Sequence, residues 1–236
     1  GEDFKKQLLS VLTAVYNTQL YKRTTPDTFK PAGVAKHIRP VRTDRKLVAL
    51  ACSTGGPKAL QSVIPYLPKN LDAPVVLVQH MPAGFTKSMA DRLNELSEVS
   101  VKEAEEGDVL EKGHVYVAPG GMHMEVVKAH GNTHRIKLDD LPPIGGLRPC
   151  ANIMFDSLAK TDYDEIICIV LTGMGADGTN GILSLNRTKP IHVIAQDAQT
   201  CVVYGMPRAI AEAGMVDEVV PLTAVAKTII KNVGVK

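Results

Sequence analysis

Apolar residues fall into two rhythms along this chain. Near the N-terminus Phe4, Leu8, Leu12, Tyr16 and Leu20 recur every fourth position, with Leu9 and Val15 widening the stripe, which predicts an amphipathic helix from Asp3 to about Tyr21. From Lys22 to Arg45 the periodicity stops; Pro26, Pro31, Gly33 and Pro40 interrupt a stretch in which basic residues outnumber acids, and this reads as a linker. Beyond it, short continuous apolar runs take over: Leu47 to Cys52, Val75 to Val78, Ile166 to Leu171, Ile191 to Ala195 and Val216 to Val220. Runs apolar on both faces are the mark of buried parallel strands. Helical patterns fit between them, at Pro57 to Leu67, Thr86 to Leu96, Ile153 to Lys160 and Pro207 to Ala213, the last closed by Gly214. Between the second and third runs, Val115 to Ala118, Glu125 to Ala129 and Arg135 to Leu138 alternate like extended segments, and His130-Gly131-Asn132-Thr133 separates the last two. The expected fold is therefore α/β: a doubly wound, mostly parallel sheet with an inserted antiparallel hairpin. The expected organisation is an N-terminal helix and basic linker over 1–45 and one domain over 46–236.

Composition narrows the class without changing this picture. Of 236 residues 44% are hydrophobic and 22% charged, with a formal net charge of +2, the balance of a folded, water-soluble chain with no general affinity for nucleic acid. No stretch has the uninterrupted apolar length of a membrane span, and Gly1 to Lys6 lacks the succession of a secretory signal, so a cytoplasmic protein without membrane insertion is expected. Cys52, Cys150, Cys168 and Cys201 show no C-x-x-C spacing, and His123, His130 and His134 lack helical spacing and carboxylate partners. Reduced, packed thiols and exposed hairpin histidines are the expectation, with no metal and no cofactor.

The chemistry gathers where strands end. The run Leu47 to Cys52 passes straight into Ser53-Thr54-Gly55-Gly56-Pro57 and then a helical pattern, which sets Ser53 on a strand-to-helix turn. Its glycines allow a sharp path, and the following amides face any negative charge that develops at the hydroxyl. The Lys-Ser/Thr ending of a phosphate-binding loop and the G-x-G-x-x-G fingerprint are both missing. His80 ends the second run, and the third opens into Thr172-Gly173-Met174-Gly175-Ala176-Asp177-Gly178. Open parallel sheets build their sites at these carboxyl ends. A serine needs a histidine to take its proton, and the histidine needs a carboxylate to hold its tautomer. Ser53, His80 and Asp177 supply the three types. Asp197, which follows Ile191 to Ala195, rivals Asp177 for the acid on sequence grounds alone.

At these residues the sequence resembles the chemotaxis protein-glutamate methylesterase (CheB) family, through Ser-Thr-Gly-Gly-Pro at 53–57, Gln-His-Met-Pro-Ala-Gly-Phe-Thr at 79–86 and Leu-Thr-Gly-Met-Gly-Ala-Asp-Gly at 171–178. The likeness continues through Tyr116-Val117-Ala118-Pro119-Gly120, Arg148-Pro149 and Cys201 to Arg208; it departs at Ala51-Cys52 and at Asn152, where the family commonly has an aspartate. The resemblance implies a triad of Ser53 as nucleophile, His80 as base and then acid, and Asp177 rather than Asp197 as the orienting carboxylate. It implies an oxyanion donor at the Met174 amide; Thr54 or Gly55 is our own candidate for a second donor. It further implies methyl-ester hydrolysis and deamidation on the cytoplasmic helices of methyl-accepting chemoreceptors. An N-terminal phospho-receiver domain would be a further partner, whose closing helix Asp3 to Tyr21 resembles. Such a receiver does not fit into 45 residues, so this sequence is expected to act without phosphorylation.

Overall fold

A computed structural model describes residues 45–235, and the helix and linker expected before Arg45 lie outside the described residues. Seven strands, β1 (Lys46–Cys52), β2 (Val75–Gln79), β3 (Ser100–Glu103), β4 (His114–Val117), β7 (Glu165–Val170), β8 (Ile191–Gln196) and β9 (Glu218–Val220), form one sheet in the order β3-β4-β2-β1-β7-β8-β9. Every pairing in it is parallel. Strands β5 (His123–Lys128) and β6 (His134–Asp139) form a separate antiparallel hairpin. The doubly wound sheet with an inserted hairpin is the architecture read from the sequence.

Alternation along β1 shows how the layers are made. Val48, Leu50 and Cys52 pack into the cluster beneath α1 (Gly56–Gln61), α2 (Phe85–Leu96) and α6 (Leu222–Val233). Leu47, Ala49 and Ala51 pack on the other side, with α3 (Ala151–Ser157), α4 (Thr179–Leu185), α5 (Met206–Glu212) and the hairpin. Both faces of the central strands are thus sealed, which is why they read as continuous apolar runs.

The structure adds to and trims the elements read from the sequence. The segment at Val115 is a strand of the main sheet, β4, between β2 and the edge strand β3. β3 leaves little trace in the sequence, because this edge strand of four residues buries only Val101. The helix expected over Pro57 to Leu67 stops at Gln61 and resumes as a single 3-10 turn at Ile64–Tyr66, where Pro65 lacks the N–H that an α-helix needs. α6, not among the elements read from the sequence, closes one face through Val225, Ala226, Ile229 and Val233.

The hairpin histidines are a correction of another kind: both His123 and His134 are buried, His134 on the face that packs on the core with Val126 and Ile136, and His123 on the opposite face, its Nε2 3.3 Å from the Pro142 carbonyl. His134 Nε2 accepts the Asp162 N–H at 3.1 Å, so its neutral form carries the proton on Nδ1, and its ring lies 4.6 Å from that of Tyr163. Burial first, then the positive charge of Arg45, with smaller pushes from Lys128 and Lys189, lowers the His134 pKa against the opposing pull of Asp162. A histidine whose folded pKa lies below its unfolded one binds fewer protons when folded, so its stabilisation holds at neutral pH and is lost as pH falls from about 6.5 towards the lowered value. The melting temperature is expected to fall between pH 7.5 and 5.5, and His134→Gln, which can still accept the Asp162 N–H, should flatten that slope. Parallel slopes in the two proteins would contradict this role.

Candidate active site

The winding of the sheet places a crevice between the carboxyl ends of β1 and β7, where the chain leaves towards β2 on one side and β8 on the other. Ser53 follows β1 directly. Its carbonyl accepts the Gly56 N–H at 2.8 Å, closing a turn whose third residue, Gly55, has φ +84° and ψ −8°. That is a type II turn, which demands glycine there. The turn ends where α1 begins. Its Ser53 N–H is tied to the Thr172 carbonyl at 3.0 Å, which anchors the serine to the loop after β7.

Register brings His80 alongside. β1 and β2 pair Cys52 with Gln79, so Ser53 and His80 are the next residues on adjacent parallel strands, and the His80 N–H donates to the Cys52 carbonyl at 3.2 Å. The loop after β7 completes the group: His80 Nε2 lies 2.8 Å from Asp177 Oδ2, with both side chains nearly buried. Asp177 is held on all sides. Oδ2 also accepts the Ala151 N–H at 2.6 Å, while Oδ1 accepts from Asn152 N at 3.1 Å, Gly178 N at 3.0 Å and the Cys150 thiol at 3.2 Å. Burial pushes the Asp177 pKa up, but the hydrogen bonds from His80, Ala151, Cys150 and Asn152 outweigh it and hold the carboxyl below its ordinary value. It is therefore a carboxylate throughout the neutral range.

Asp197 is spent elsewhere: its Oδ1 accepts the Thr200 N–H at 2.9 Å and the Thr200 hydroxyl at 2.6 Å, closing its own turn. Met174 is 57% exposed at the mouth of the crevice. Among the described residues the amides of Met174, Thr54 and Gly55 donate no hydrogen bond within the protein, whereas their neighbour Gly173 donates to the Val203 carbonyl. Gly173 also packs against the serine, since a Cβ there would lie 2.9 Å from the Ser53 Cβ and 2.3 Å from Met206 Sδ. Cys52 is buried, its thiol raised far above the usual range by desolvation, and it points into the core beneath α1. Among the described residues no group of three or more His, Cys, Asp or Glu is arranged to hold a metal ion.

A family model described as CheB methylesterase matches residues 48–229. The chain belongs to the CheB methylesterase family. It is 44% identical over 211 residues to a protein-glutamate methylesterase/protein-glutamine glutaminase of Geobacillus kaustophilus, covering 89% of this chain and 60% of that one. A relative of the same name from Symbiobacterium thermophilum is 49% identical, over 82% of this chain and 52% of its own. The crystal structure of the Thermotoga maritima CheB methylesterase catalytic domain superposes with a TM-score of 0.76 at 44% identity, covering 80% of this chain and 99% of that chain. This chain thus spans only about half to two thirds of the length of these curated relatives.

Within this CheB domain several further polar residues serve the crevice. Thr172 Oγ1 donates to the Thr54 carbonyl at 2.9 Å and accepts from the Val202 and Val203 amides. Gln196, at the end of β8, accepts the Thr172 N–H at 2.9 Å. Asn152, the departure noted in the sequence, has a structural use: Oδ1 accepts the N–H groups of Gly178 and Gly181 at 3.0 and 2.8 Å, capping α4 next to Asp177. The available signal was a polar residue closing an apolar strand, as at Gln79 and Gln196.

Proposed function

We propose that residues 46–236 form the catalytic domain of a protein-glutamate methylesterase, with Ser53, His80 and Asp177 as its triad and 1–45 as the junction with a receiver domain. The observation that carries this reading is the 2.8 Å contact of His80 Nε2 with a buried, five-fold hydrogen-bonded Asp177, on the loop beside Ser53. A carboxylate at Nε2 keeps the proton there, which leaves Nδ1 as the lone pair able to take the serine proton.

The chemistry follows from those roles. Ser53 Oγ attacks the γ-carbonyl carbon of a methylated glutamate as its proton passes to His80 Nδ1. The oxyanion is met by the Met174 amide, with Thr54 or Gly55 as second donor; a single such donor is typically worth about 10²–10³ in rate. The C–O bond to the methoxy group breaks, His80 returns the proton and methanol leaves. Water, giving its proton to the same nitrogen, then cleaves the acyl-serine and releases glutamate. With an amide in place of the ester the same steps release ammonia and deamidate glutamine. No cofactor is needed.

The relatives' names support both reactions. The substrates we assign are glutamates on the cytoplasmic helices of chemoreceptors, which places the protein in the cytoplasm. Among the described residues no helix is long and apolar enough to cross a membrane. Exposed Met174 and Val202 flank the serine turn and leave it open to a protein surface. An alkyl phosphonate probe tests the enzyme reading. It should label wild-type protein once, at Ser53, and leave His80→Ala unlabelled; labelling elsewhere, or none, would show that the crevice binds without catalysing.

A further inference from the structure

We propose that Gln79 is a positioning residue whose one side-chain amide sets the spacing between the nucleophile turn and the histidine loop; this rests on the triad reading above. Gln79 is the last residue of β2 and only 1% exposed. Its Nε2 donates to the Ser53 carbonyl and to the His80 carbonyl, each at 3.0 Å. One planar NH2 group thereby bridges the backbones of the two residues between which the proton must pass.

The rest of the side chain is pinned just as firmly. Oε1 accepts the Cys52 thiol at 3.1 Å. The space it occupies exists because residue 56 is glycine: a Cβ there would lie 1.8 Å from Oε1. Amide donors and acceptor are all used, so the group has one orientation and no freedom to swing towards solvent.

The Ser53 carbonyl is also the acceptor that closes the nucleophile turn, so the clamp acts on the point from which the turn is hung. Without a donor between them, two carbonyl oxygens facing the same buried space repel and lose the donor they share. The turn and the loop would then settle further apart, and a displacement of about 1 Å in a proton-transfer pair is enough to cost on the order of 10² in rate. Substrate binding, which uses the outer surface of the crevice, would be little touched.

Two substitutions separate this role from plain packing. Gln79→Met keeps the length and removes every polar atom, while Gln79→Glu keeps the shape and the acceptor for Cys52 but has no N–H. With a methylated receptor fragment as substrate, both should lower kcat by about 10- to 100-fold and leave KM within about threefold. Cys52→Ala, which deletes only the thiol contact, should keep at least about a third of wild-type kcat. The proposal is overturned if folded Gln79 variants, checked by thermal melting, retain wild-type kcat, if the loss lies in KM, or if Cys52→Ala falls as far. Should Gln79→Met unfold, Gln79→Glu alone carries the test. Failure of the wild-type protein to be labelled at Ser53 would instead sink the triad reading, so the two failures are distinguishable.

Discussion

Asp177→Asn is expected to lower kcat for methyl-ester hydrolysis by about three to four orders of magnitude while the protein stays folded. The carboxylate accepts at both oxygens: His80 and Ala151 at Oδ2, Cys150, Asn152 and Gly178 at Oδ1. An asparagine can reproduce only one of these oxygens. If the amide oxygen stays with Asn152 and Gly178, the NH2 group faces His80 and the Ala151 N–H. The imidazole must then accept at Nε2 and carry its proton on Nδ1, towards the serine, where it can no longer act as a base. The Ala151 N–H is left unsatisfied, a loss of about 1–3 kcal/mol in stability that a folded domain can bear. Asp197→Asn should stay within about threefold of wild type, because an asparagine can still close the turn to Thr200. Measured kcat values in the reverse order would transfer the acid role to Asp197.

The contrast between these two aspartates marks how far the sequence could be read. Both follow buried strands, and their spacing from Ser53 and His80 does not rank them. What separates them is three-dimensional: the start of α3, far along the chain, aims the Ala151 and Asn152 amides at Asp177, whereas Asp197 has only its own turn. The central strands were legible because burial on both faces writes itself as an unbroken apolar run, and the hairpin because its turn residues sit between alternating segments. β3 was not, since one buried valine in a four-residue edge strand is too little signal. The burial of His123 and His134 is not legible, because histidines beside a hairpin turn read as surface residues, and what covers each face of a hairpin is decided by packing that spacing does not encode. Gln79 falls in the same class, one polar residue after four apolar ones.

Ser53→Ala is expected to have the largest effect of any single substitution, removing the nucleophile and lowering turnover by about 10⁴–10⁶-fold. The change should leave the fold intact, because the bonds that hold the turn run through the backbone of residue 53: its N–H to Thr172, and its carbonyl to Gly56 and Gln79. Alanine keeps all of them, and a stability change within about 0.5 kcal/mol is expected. The most direct measurement is the initial rate of methanol release from a methylated chemoreceptor cytoplasmic fragment by the wild-type protein and by Ser53→Ala at equal concentration. The account predicts steady release by the wild type and none above background by the variant, with both proteins melting alike. Equal release by the two proteins, or no release by a wild type that still hydrolyses a small nitrophenyl ester, would contradict it.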